Sequence, residues 1–150
     1  MGNCSSLPPI DVLAVDSIDE LADCLPHRHP YFTLLLAWDA PEIDQQELIA
    51  LFRPLVDRGL ACFSAWGNRS EEVHDAVDLC FVERELEVGE ADYLLMTGWH
   101  ANEPLEEAVW AFKMLDIPSE LHVFAEFDRF AVAVENRAWV DRMERTFAAK

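Results

Sequence analysis

Tyr31-Phe32-Thr33-Leu34-Leu35-Leu36-Ala37-Trp38 is an apolar run closed by Asp39-Ala40-Pro41, and together with the segments next to it this run decides the fold. Eight aromatic and aliphatic residues without a helical cap read as a strand buried on both faces. Asp44-Gln45-Gln46-Glu47 then has the form of a capping box, whose side chains satisfy the free N–H groups of a helix start. Behind it Leu48, Leu51, Phe52 and Leu55 recur at helical spacing until Gly59, with Pro54 expected to kink or split the last turn. Ala61 to Trp66 reads as a second strand. Parallel neighbours need a crossover between them, so strand, helix and strand in this order predict a parallel pair.

The same alternation continues toward the C-terminus. Asn68-Arg69-Ser70-Glu71 has capping residues ahead of a helix with Val73, Val77, Cys80 and Phe81 as its apolar stripe. Tyr93 to Thr97 is a third strand, and Gly98-Trp99-His100-Ala101-Asn102 reads as the turn after it. Glu103-Pro104 opens a helix with Leu105, Ala108, Val109 and Phe112 inward, proline being favoured in a first helical position. Residues 119–127 fit no single element. Arg129 to Val134 is a fourth strand, and Asn136 caps a last helix with Val140, Met143 and Phe147 inward. Upstream, residues 1–30 carry Pro8, Pro9, Pro26 and Pro30 and read as an arm with one short helix at Ser17-Ile18-Asp19-Glu20, leaving 31–150 as the domain. The expected fold is a single α/β domain, three-layer and doubly wound, with a mainly parallel sheet of about four or five strands.

Charge narrows the partners. The chain has 29 Asp and Glu against 11 Lys and Arg, a net charge of −18 that repels phosphate backbones and anionic lipid. No nucleic acid, membrane or cofactor is therefore expected, and a partner should be basic. Cys4, Cys24, Cys62 and Cys80 form no C-x-x-C pair, which suits reduced thiols and a cytoplasmic setting. Met1-Gly2-Asn3-Cys4-Ser5-Ser6 does match a myristoylation pattern at Gly2, with Cys4 placed for a second acyl chain, but no basic cluster comes after it to support an anchor.

In an open parallel sheet, ligands meet the edge where strands end and helices begin. That edge should carry Trp38 and Asp39, then Trp66, Gly67, Asn68 and Arg69, then Trp99 and His100. Three of the five tryptophans thus stand near strand exits, and indoles anchor protein interfaces. Acid gathers there too, in Glu42, Asp44 and Glu47, in Glu71 and Glu72, and in Glu103, Glu106 and Glu107. Carboxylates in a first turn complement the helix dipole, which is a structural reason for each group alone. Together they cancel the potential that would hold a phosphate, and no glycine-rich fingerprint is present. Arg69 offers at most one anion contact.

Catalysis has weaker support. There is no G-x-S-x-G, and Ser64 and Cys62 lie inside a strand rather than at a sharp turn. His74 with Asp78, and His100 with Glu103, could each face a cation, which leaves open a small-ligand or metal-assisted hydrolytic domain using Asp39, His74, Asp78, His100 and Glu103. The favoured expectation is a non-catalytic binding protein, an immunity or antitoxin-like inhibitor of a basic toxin. Its contact patch would be drawn from Trp38, Asp39, Trp66, Asn68, Arg69, Glu71, Glu72, Trp99, His100 and Glu103.

Ala65-Trp66-Gly67, His74-Asp75-Ala76-Val77-Asp78 and the segment from Met96-Thr97-Gly98-Trp99-His100 through Glu103-Pro104-Leu105-Glu106-Glu107-Ala108 resemble a family of small bacterial α/β proteins with no assigned activity. The resemblance covers most of residues 31–145. It departs from the family pattern at Gly98, where the family has Thr, and so implies a looser loop there. It implies a bacterial origin and no catalytic residue.

Overall fold

The computed structural model describes residues 8–91, 93–114 and 127–149, and in them the alternation of strand and helix is realised. Strand β1 (Ile10–Val15) leads through a 3-10 turn (Ile18–Glu20) into a short helix, α1 (Leu21–Cys24). Next come β2 (Phe32–Ala37), α2 (Gln45–Asp57), β3 (Leu60–Trp66), α3 (Ser70–Val88), β4 (Met96–His100), α4 (Leu105–Lys113), β5 (Asp128–Val134) and α5 (Ala138–Ala148). The strands form one five-stranded sheet in the order β1-β5-β2-β3-β4, and every adjacent pair is parallel. From β2 the chain steps outward to β4 with α2 and α3 on one face. It returns over the other face with α4 and inserts β5 between β1 and β2. The expected three-layer, doubly wound α/β domain is the fold observed.

The two central strands explain the unbroken apolar runs. Every residue of β2 and of β5 is buried. Leu34 and Leu36 pack toward α2 and α3 beside Phe52, Phe63 and Phe130, while Leu35 and Ala37 face α4 and α5. Strand side chains alternate between faces, so both sets must be apolar when helices cover both sides. Each fully buried Phe or Leu contributes roughly 1.5–3 kcal/mol. Asp44 caps α2 by accepting from Gln46 N at 3.3 Å, and Asn136 Oδ1 accepts from Ala138 N at 3.1 Å at the start of α5. Helix α2 runs on through Pro54, which lies exposed, so the proline does not split it.

Three expectations need correction. The boundary at residue 30 does not separate an arm, because Ile10–Val15 pairs with β5 along its whole length as part of the same sheet. The third strand lies later than its apolar residues suggest: Gly98, Trp99 and His100 belong to β4 and pair with Ser64, Ala65 and Trp66. Asn68 does not cap α3 with its side chain. Arg69 occupies the cap position in the left-handed conformation, φ 61°, and Ser70 begins the helix buried. Gly2, Cys4 and residues 119–126 fall outside the described residues. No helix among the described residues is long and apolar enough to cross a membrane.

Cys62 and Cys80 are buried free thiols, and burial pushes both up to about 12. Thiols held protonated in this way do not act as nucleophiles. A disulfide-exchange reagent is expected to leave both unmodified in the native protein and to label them once urea unfolds it; native labelling of either would contradict this burial.

Candidate functional site

The exits of β2, β3 and β4 are tied to one another by hydrogen bonds rather than left as independent loops. Trp38 N donates to Trp66 O at 3.0 Å, extending the sheet by one bond. Gly67 then turns the chain at φ 123°, and its α-carbon passes so close to β2 that an added Cβ would lie 2.2 Å from Trp38 O and 3.2 Å from Asp39 Oδ1. Beyond the turn, Asn68 N donates to Asp39 Oδ1 at 2.9 Å. Ser70 Oγ reaches across to His100 O at 3.2 Å, and Trp66 Nε1 donates to Glu103 O at 2.7 Å. These contacts frame a cleft of about 210 Å³ lined by Asp39, Trp66, Gly67, Asn68, His100, Asn102 and Glu103. It lies between β3, whose chain leaves toward α3, and β4, whose chain leaves over the opposite face. Such a divergence is where open α/β sheets form crevices.

The expected site residues divide sharply here. Asp39, Trp66, Asn68, His100 and Glu103 come together in the cleft, and Arg69, Glu71 and Glu72 stand beside it at the start of α3. Trp38 does not belong to the surface. It is 3% exposed and packs against Phe52, ring centroids 6.4 Å apart, because Trp38 and Ala40 turn inward before α2 begins while Asp39 between them stays exposed. Trp66 is half-buried and makes an edge-on contact with Trp139 at 5.0 Å, so its indole braces the α5 side. Trp99 is 42% exposed, but it projects from β4 toward α3 and packs on His74 at 4.6 Å.

That alternation along β4 also separates the two candidate metal pairs. His100 is in register with Trp66, which packs on the α4 and α5 face, whereas Trp99 is in register with Ala65 on the α3 face. His74 Nε2 lies 3.4 Å from Asp78 and belongs with Trp99. His100 Nδ1 lies 3.3 Å from both Glu103 carboxylate oxygens on the opposite side of the strand. Among the described residues no three His, Cys, Asp or Glu side chains gather to hold a metal ion, so the four-residue set does not converge. A one-residue step in a strand reverses the face, which spacing counted in sequence does not reveal.

Acid dominates the rim. Asp39, Glu42, Asp44, Glu47, Glu71, Glu72, Glu103 and Glu107 are exposed at the starts of α2, α3 and α4, and Asp16 and Glu135 are exposed where β1 and β5 end. The arginines at this edge are engaged: Arg69 with Glu72 at 2.9 Å, Arg137 with Asp16 at 3.3 Å, and Arg142 with both oxygens of Glu106 at 2.8 Å. Arg28, Arg58 and Arg129 lie at the other edge, before or at the start of β2, β3 and β5. The domain is therefore polarised along its strands.

The paired Arg142 guanidinium, with a backbone hydrogen bond, holds the Glu106 carboxyl down to about 2. A depressed carboxylate adds stability at neutral pH that disappears as pH falls from the ordinary range near 4.5 through about 2. Both side chains are about a third exposed or more, so the pair is worth little. Glu106→Gln is expected to cost about 0.5 kcal/mol near neutral pH and to be indistinguishable from wild type in acid; a constant difference across a pH series of urea melts would contradict the pairing.

Comparison with known families adds one match, to a Domain of unknown function (DUF7684) over residues 10–150. The chain belongs to the DUF7684 family. The match begins at the first residue of β1, so the DUF7684 domain includes the edge strand and the whole sheet. No curated protein and no solved structure matches the chain. The DUF7684 family brings no activity with it, so the roles of these residues rest on their geometry and charge.

Proposed function

We propose that this DUF7684 domain is a stoichiometric binding protein whose acidic rim covers a basic surface of another protein, in the manner of an immunity or antitoxin-like inhibitor of a toxin. One observation carries the reading: exposed carboxylates from strand exits and three helix starts share one edge, where the arginines are already ion-paired. A field of one sign steers an oppositely charged partner and accelerates encounter. The bonds from Asn68 to Asp39 and from Ser70 to His100 hold the loops in place before a partner arrives, which lowers the ordering cost of binding.

A small-ligand or hydrolytic site has one observation in its favour, that Asp39, His100 and Glu103 line the same cleft. Their polar atoms, however, are turned on the protein itself, Asp39 Oδ1 toward Asn68 N and His100 Nδ1 toward Glu103. The rim reading is tested by co-expressing the tagged chain with the products of adjacent reading frames. A one-to-one complex with a basic protein that weakens as salt rises is expected. Absence of any complex, or a complex indifferent to salt, would reject it.

A further inference from the structure

The side of the molecule bounded by β4 differs from the rest of the surface. β4 ends the sheet, so one row of its backbone N–H and C=O groups has no strand beside it among the described residues. Natural sheets protect such edges with charge, proline or a covering element. The opposite edge obeys that rule, since β1 comes directly after Pro8 and Pro9 and carries Asp11 paired to Arg28. Met96-Thr97-Gly98-Trp99-His100 has no Asp, Glu, Lys, Arg or Pro, and Met96 and Trp99 are 44% and 42% exposed.

Helix α3 borders this edge and adds apolar residues to it. His74 packs on Trp99, and Asp78 accepts from Thr97 Oγ1 at 2.7 Å, so the row of α3 residues spaced by four runs alongside β4. Val82 and Leu86 continue that row and are 51% and 82% exposed, and Leu94 just before β4 is 66% exposed. A helix with an apolar stripe toward the core and a second one toward solvent has a further surface to cover.

We infer that this edge joins two copies of the chain, β4 pairing antiparallel with β4 of a second copy about Gly98 to make one continuous ten-stranded sheet. The strand is complementary to itself in that register. Met96 would face His100 of the other copy on the α4 side, and Thr97 would face Trp99 on the α3 side, with no acid opposite an acid. His74 stands over Trp99 and Asp78 over Thr97, so the same register brings each copy's His74 toward the other's Asp78. Antiparallel pairing also points the two acidic rims to opposite ends of the dimer, where two bodies of net charge −18 repel least. The rims stay exposed, so the dimer does not depend on the proposed basic partner.

Sedimentation of the purified chain across a micromolar series tests this. Wild type should run at twice 17.1 kDa, while Met96→Lys and Leu86→Lys, both at exposed positions, should each weaken the dimer at least ~tenfold with unchanged circular dichroism. Lysine lowers the net charge, so a general relief of repulsion would strengthen association instead. Charge reversal at Glu71, Glu72 and Glu103 should leave the mass unchanged, which separates this edge from the rim. A 17.1 kDa monomer throughout the series, or a dimer that both lysine variants leave intact, would overturn the assignment.

Discussion

Gly67→Ala is expected to destabilise the domain by at least about 4 kcal/mol, enough to leave much of the protein unfolded. Two costs combine. The residue sits at φ 123°, a conformation open to glycine and strained for any other residue, and the new methyl would lie 2.2 Å from the Trp38 carbonyl oxygen. That oxygen belongs to backbone held by the bond from Trp38 N to Trp66 O, so it cannot give way as a flexible side chain would. The damage should extend to the rim, because the same turn presents Asn68 N to Asp39. Gly98→Ala is the control. An added Cβ there meets nothing within 4 Å, and removing a glycine from a strand is neutral or favourable by about 0.5–1 kcal/mol. Urea melts of the two variants measure the contrast, and a Gly67→Ala protein as stable as wild type would mean that the exits of β2 and β3 do not approach each other as described.

Reversal of charge at Glu71, Glu72 and Glu103 should slow association with the basic partner by about 100-fold or more at low salt, with a smaller change in the rate of dissociation. All three residues are exposed. The first two open α3, where lysine would also oppose the helix dipole at a cost of about 0.3–1 kcal/mol per site. The fold should therefore survive, and stopped-flow mixing with the captured partner can be read without a stability correction. Raising the salt should bring wild type and variant together, since screening shortens the reach of the field to about 10 Å near 0.1 M. Equal association rates at low salt would remove the rim from the interface and leave the acid there as helix-dipole compensation only.

The layered fold is legible in the sequence because β2, α2 and β3 each obey the periodicity of their type, and the residues expected inward, such as Phe52, Val77, Ala108 and Met143, are buried. Other features are concealed for physical reasons. β1 is hidden because Ile10–Val15 sits close to prolines and is only partly buried on an edge, which weakens its apolar signature. Trp38 reads as a rim residue from its place after a strand, yet the side chain of a residue one step past a central strand still drops into the core. β4 reads as ending too early because Gly98 looks like a turn residue; in the structure it is strand, with open space where a side chain would stand. The second apolar row on α3 carries a signal in Val82 and Leu86, which is masked once Val73, Val77 and Phe81 have defined an inward face.

The sheet order sets a timetable for synthesis. β1 leaves the ribosome early, but its neighbour β5 is made only after nearly all the intervening chain, so β1 waits unpaired while β2, α2, β3, α3 and β4 can already assemble locally. Until then β2 also lacks a partner on that side and offers a buried-type strand, Phe32–Ala37, to any passing segment. Nascent chains halted before Asp128 should thus be the species that cellular chaperones hold longest, and release should come at the moment β5 slides between the two waiting strands.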